Sequence, residues 1–190
     1  MDELKLDDEV RAWIESATGS RLVDANRIPG GGTREGWFVD VESGAGAQHV
    51  FLRYSRVALP DKTGFHPLAT EAEVVRALAA TDVPVAQIIA VHPTREAVLM
   101  ERIEGDTWFS RIEDPAEQVR VAQDFIRGLA AQHRLDPGDL GIAALGEVRT
   151  AREHALDRIA HVRWRGTSAG GVIDPLLGVT LDWLEANVPD

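Results

Sequence analysis

Apolar residues near the start of the chain recur at helical spacing: Val10, Trp13, Ile14 and Ala17 fall at i, i+3, i+4 and i+7. Asp8 stands where an N-cap belongs and Gly19 where a helix ends, so the pattern predicts one amphipathic helix between them. The period then shortens to two. Residues 21–28, 36–41 and 48–54 are rich in β-branched and aromatic side chains and divided by Gly clusters, which predicts three antiparallel strands. Thr70 and Glu73 have capping-box spacing, with an apolar stripe of Val74, Val75, Leu78 and Ala79 behind them. A helix is therefore predicted to about residue 80, before the break at Val83-Pro84. Residues 86–92 and 97–103 flank the turn-prone Pro93-Thr94-Arg95-Glu96 and read as a hairpin, giving five strands with one inserted helix.

Beyond Gly105 the pattern is helical. Asp114-Pro115-Ala116-Glu117 supplies an N-cap, Pro at N1 and Glu at N3. Val119, Ala122, Ile126, Leu129, Ala130 and His133 then share one face, which assigns His133 to the core rather than to catalysis. Two further helices are predicted over 150–162 and 175–187, the second with a stripe of Leu177, Leu181, Leu184 and Val188. Strands first and helices second predict an α+β fold, with a lobe boundary near residue 104 separating 1–104 from 105–190.

Composition narrows the chemistry. The 190 residues suit one domain or two lobes sharing a hinge. A net charge of −11 disfavours nucleic acid as the main partner, because phosphate-backbone binding depends on Lys and Arg displacing counterions. With no Cys there are no disulfides, thiolate metal sites or thiol nucleophiles, which suits a reducing compartment. The acidic N-terminus MDELKLDDEV is unlike a signal peptide, and no apolar run reaches the length of a membrane span. A cytoplasmic protein is the expectation.

The segment Pro29-Gly30-Gly31-Gly32-Thr33-Arg34-Glu35-Gly36 stands out, because consecutive Gly residues expose backbone N–H groups that can wrap an anion. Rossmann spacing from Gly30 requires Gly at position 35, which is Glu35. Walker spacing from Gly31 requires Lys after Gly36, where Trp37 stands. Both motifs also lead into a helix, whereas Trp37-Phe38-Val39-Asp40-Val41 reads as a strand. A loop joining two strands is either a flexible hairpin turn or the kind of loop that covers ATP phosphates in kinases.

The order of the following segments resembles the N-terminal part of the aminoglycoside phosphotransferase and choline kinase-like family. The similarity is greatest to its branch related to the kinase-like domains attached to some acyl-CoA dehydrogenases. The matching stretches are Gly31-Gly32-Thr33-Arg34-Glu35-Gly36-Trp37, Val50-Phe51-Leu52-Arg53, Glu71 through Leu78 with Val83-Pro84-Val85, and Val98 through Gly105. A weaker likeness runs through Leu129-Ala130-Ala131-Gln132-His133 and Leu181 to Pro189.

The resemblance implies a protein-kinase-like fold, with a five-stranded antiparallel N-terminal lobe and an incomplete helical C-terminal lobe. It implies ATP or another nucleoside triphosphate with Mg²⁺. The backbone of Gly31, Gly32, Thr33, Arg34 and Gly36 would cover the phosphates, and Arg53 would contact them from its strand. Glu71 would hold Arg53, with Glu73 as the rival partner. Met100, Glu101 and Arg102 fall where the family presents backbone groups to adenine, with Met100 and Ile88 as apolar walls.

Phosphoryl transfer also needs a catalytic Asp, and an Asn and an acidic group to hold Mg²⁺. The family carries these on a His-Gly-Asp loop followed by Asn and a metal-binding Asp. No such loop occurs here, where the only Asn residues are Asn26 and Asn187. Three look-alikes fail. His133-Arg134-Leu135-Asp136 has its Asp one place late and no Asn after it; Asp139-Leu140-Gly141 comes too early and reads as a turn; Asp182 lies on a helical stripe. His154, Asp157 and His161 share a helix face but lack a further metal ligand, and Arg158, Arg163 and Arg165 read as a solvated face. No catalytic or metal-binding residue is therefore assigned.

Two functional readings remain. The first is the N-terminal part of an ATP-dependent phosphotransferase acting on a small-molecule hydroxyl, inactive alone, either a truncated fragment or a chain whose catalytic half a second chain supplies; self-association is the other partner expectation. The second is a non-catalytic nucleotide-binding or regulatory protein of the same fold.

Overall fold

A computed structural model describes residues 5–29, 34–56, 66–106, 108–146, 149–168 and 170–189. Helix α1 (Asp8–Thr18) leads into three strands, β1 (Arg21–Ile28), β2 (Glu35–Ser43) and β3 (Gly46–Tyr54). Helix α2 (Leu68–Leu78) precedes β4 (Ile88–Val91) and β5 (Ala97–Glu101). Helices α3 (Pro115–His133), α4 (Ala151–Thr167) and α5 (Pro175–Ala186) follow. The five strands form one antiparallel sheet in the order β1-β2-β3-β5-β4.

Strand alternation gives the sheet two buried faces. Trp37, Val39, Val41, Val50, Leu52, Tyr54, Ala97 and Leu99 point to one side and pack with Val10 and Ile14 of α1. Val98, the neighbour of Leu99, points to the other side and packs with Leu68 and Ala72 of α2. The α1 face is the larger core. The α2 face also carries Gly36, Phe38, Phe51, Arg53 and Met100, as the alternation and register require.

The first two of the three predicted N-caps move. Helix α1 begins after Asp7 rather than at an Asp8 cap, and the Asp7 side chain does not cap it. That carboxylate accepts from the Tyr54 hydroxyl and, at 2.9 Å each, from Arg56 Nη1 and Arg95 Nη2. Ion pairs with two guanidinium groups, in which donor and acceptor are both charged, outweigh a cap bond from a neutral backbone N–H. Thr70 is likewise no cap, because α2 starts at Leu68 and Thr70 is buried within it. Glu96 Oε2 accepts from the Leu68 N–H at 2.9 Å, so the helix start is satisfied from the β4–β5 turn.

The chain forms two compact units, one holding the sheet with α1, α2 and α3 through Leu145, the other beginning at Gly146 and holding α4 and α5. Asp114 caps α3 as predicted, accepting from Ala116 N at 3.0 Å with Pro115 at N1. The apolar stripe of α3 is nevertheless exposed at Val119, Ile126 and Leu129, as is Phe125 beside it, and so is His133, which is not a core residue. In the second unit, Thr150 and Glu153 form a capping box, and α4 runs to Thr167 rather than 162. Arg163 Nη2 bonds Asp182 Oδ1 and Glu185 Oε2 of α5 at 2.9 and 3.1 Å. Among the described residues no helix is long and apolar enough to cross a membrane.

Candidate functional site

The α2 face of the sheet gathers most of the chemistry-bearing side chains. Antiparallel register sets Gly36 of β2 opposite Arg53 of β3. Arg53 points toward the first turn of α2, where its Nη1 meets Glu71 Oε2 at 2.5 Å. The other carboxylate oxygen of Glu71 accepts from Nη1 of Arg34, the residue just before β2. Arg34 also donates through Nη2 to the His66 carbonyl. One carboxylate thus holds two guanidinium groups. Burial, and secondarily the positive charge of Arg34, hold the Arg53 pKa below its ordinary value. Glu73, the rival carboxylate, accepts from Ala144 N at 3.3 Å.

Beside this cluster lies an aromatic floor. Phe38 and Phe51 pack edge to face with ring centroids 5.9 Å apart, and Met100 lies opposite Phe51 in the ladder. Ile88 pairs with Met100 in turn, and both pack against the cluster of Leu68, Ala72 and Val98. A Cβ at Gly36 would sit 3.0 Å from Phe51 Cζ, so glycine at this position makes room for the floor. The Arg102 guanidinium lies 4.2 Å over the Phe38 ring, with Glu104 Oε1 at 2.9 Å and Asp40 Oδ1 at 3.6 Å. Glu101 is engaged inside the sheet: its N–H donates to Gln87 O at 2.8 Å and its carboxylate accepts from Gln87 N at 3.1 Å.

Of the expected site residues, Arg34, Gly36, Arg53, Glu71 and Met100 are drawn to one face, and Arg102 folds back over Phe38 on the same face. Gly31, Gly32 and Thr33 lie outside the described residues. Phe38, Phe51 and Asp40 do not stand out in the sequence as site residues, although the alternation Gly36, Phe38, Asp40 against Trp37, Val39, Val41 marks which side chains of β2 turn away from the main core.

Elsewhere the look-alikes have structural partners. Asp136 Oδ1 accepts from Gly138 N at 2.8 Å in a turn, and Asp182 pairs with Arg163. Asp157 pairs with Arg149 at 2.5 Å. Among the described residues no group of three His, Asp or Glu side chains is placed to hold a metal ion.

Comparison with known proteins adds the lineage. One similar solved structure is a Thermobifida fusca protein assigned as a fructosamine-3-kinase, at 16% identity and a TM-score of 0.42. The match covers 82% of this chain and 63% of that one, so this chain spans less than two thirds of its length. No match was found among curated protein sequences. The model of the phosphotransferase enzyme family matches residues 24–190, nearly the whole chain, including β2 to β5, most of β1 and each residue of the Arg34–Arg53–Glu71 cluster. The chain belongs to the phosphotransferase enzyme family.

Proposed function

We propose that this chain contributes the nucleotide-binding lobe, residues 1–104, and the first helices, 105–190, of an ATP-dependent phosphotransferase that acts on a small-molecule hydroxyl. The observation that carries the reading is the Arg53–Glu71 pair at 2.5 Å, on the face that also offers an apolar floor. A strand cation oriented by a helix carboxylate is how kinases fix a phosphate-binding side chain, and arginine can serve bidentately.

The residues fit ATP at two points. Arg53 supplies charge-assisted donors for phosphate oxygens, and Phe38, Phe51, Ile88 and Met100 supply apolar surface for a base. Mg²⁺ is a different matter. Its family ligands, an Asn and an acidic residue after the catalytic Asp, are absent from the sequence, and the described residues offer no substitute cluster. Nucleotide binding is thus supported without transfer chemistry by this chain alone, and affinity is expected nearer millimolar than micromolar, with a net charge of −11 opposing ATP at long range. The lack of the His-Gly-Asp loop equally favours the second reading, a non-catalytic nucleotide-binding or regulatory protein. The absence of Cys fits a cytoplasmic setting for either.

Calorimetric titration with ATP and a turnover assay test the proposal together. Weak saturable binding with turnover at background supports it. An absence of ATP binding removes the nucleotide role, and turnover abolished by Asp136→Ala or Asp139→Ala reinstates an acidic group dismissed above.

A further inference from the structure

We propose that Arg34 is a second phosphate-binding arginine, held beside Arg53 by their shared Glu71 carboxylate and donating to a ligand phosphate through its unpaired Nε. This rests on the nucleotide reading above and adds a side-chain contact to it.

Arg34 is the more buried of the two arginines, its side chain 11% exposed against 39% for Arg53. Its Nη1 and Nη2 are taken by Glu71 and the His66 carbonyl, while its Nε is buried with no hydrogen-bond partner. Guanidinium has five N–H donors in a fixed plane and no acceptor, so these two bonds leave three N–H groups unmade, the buried Nε–H among them. A buried charged donor left unmade is costly, and an anion relieves that cost. Charge is balanced within the cluster: Arg34 and Arg53 face Glu71 and, 3.8 Å from Arg34, Glu96, whose Oε2 also accepts from Leu68 N. A polyphosphate would therefore bind through donors these carboxylates leave unmade, not by supplying a missing charge. Both guanidinium groups converge on Glu71 from the same end of the β2–β3 ladder, since Arg34 precedes β2 and Arg53 faces Gly36. A ligand bearing several adjacent phosphates matches two cations held side by side; a single phosphate does not need both. Simple stapling of the start of β2 to the backbone before α2 is the competing role for Arg34.

Titration of the 190-residue chain by NMR with ATP, ADP, AMP and inorganic tripolyphosphate separates these roles, using wild type, Arg34→Ala, Arg34→Lys and Arg53→Ala. Arg34→Ala is expected to weaken ATP and tripolyphosphate by about tenfold or more and AMP by less than about twofold, with Arg34→Lys recovering part of the loss. If Arg34→Ala leaves ATP affinity unchanged while Arg53→Ala weakens it, Arg34 has no phosphate role and the nucleotide reading stands. Equal losses for AMP and ATP assign Arg34 to stapling and overturn the inference. A wild type that binds neither ATP nor tripolyphosphate removes both. Should Arg34→Ala fail to fold, Arg34→Lys and Arg34→Gln are judged by the same ratio of ATP to AMP affinity.

Discussion

Replacing Glu71 with Ala removes the one carboxylate between two guanidinium groups, and the cost follows from how wet each is. Arg53 is 39% exposed and rehydrates, so its pair contributes about 0.2–1 kcal/mol, as surface pairs do. Arg34 is 11% exposed and keeps only the His66 carbonyl and the more distant Glu96, so losing its charge-assisted bond costs about 1.5–3 kcal/mol. Removing an acid from the first turn of α2 adds about 0.3–1 kcal/mol. The sum is about 2–5 kcal/mol, which lowers the Tm by roughly 10 °C in a chain of this size. Thermal and urea melts of wild type, Glu71→Ala, Arg34→Ala and the double variant check it. Because part of the cost is an orphaned Arg34 cation, the double variant should lose less than the two single losses added together. Additive losses, or a Glu71→Ala effect below about 0.5 kcal/mol, would show that Glu71 does not hold the two guanidinium groups as a unit.

His92 is buried against Trp13, its Nδ1 accepting from Thr94 N at 3.2 Å and Arg95 N at 3.0 Å. Burial pushes its pKa down, with Glu9 opposing and Arg95 adding. The unfolded state therefore binds the proton more readily, so this contribution to stability is complete above about pH 6.5 and is lost as pH falls toward the folded pKa. Urea melts between pH 7.5 and 5 should show the loss and His92→Asn should flatten it; an equal slope in both proteins contradicts the assignment. Gly36→Ala places a Cβ 3.0 Å from the Phe51 ring and should cost about 1–3 kcal/mol. Phe51→Leu should relieve part of that, and a Gly36→Ala protein as stable as wild type would show that the ring yields freely.

How far the sequence reveals this protein depends on whether the deciding interactions are local. The five strands and the starts of α3 and α5 are legible, because period-two alternation and an Asp-Pro pair act within a few residues. The starts of α1 and α2 are not. Asp7 is drawn away by Tyr54, Arg56 and Arg95, and Leu68 is capped by Glu96, partners distant in sequence and close only through the sheet. The stripe on α3 has helical period, yet Val119 and Ile126 stay exposed, because periodicity shows that a face is apolar without showing what covers it. At the candidate site, the Arg53–Glu71 spacing is readable only beside a family pattern. The second cation on Glu71 depends on side-chain reach across β2 and α2, and Phe38 and Phe51 look like ordinary strand aromatics until the face of each strand is known.

Nucleotide binding on the α2 face of the sheet should depend on Arg53. Backbone NMR of the 190-residue chain titrated with ATP, in wild type and Arg53→Ala, tests it most directly. Shifts are expected to concentrate in β2, β3 and the first turn of α2, with Arg53→Ala weakening binding by about tenfold or more. Shifts confined to α3, α4 and α5, or an unchanged affinity in Arg53→Ala, would contradict it.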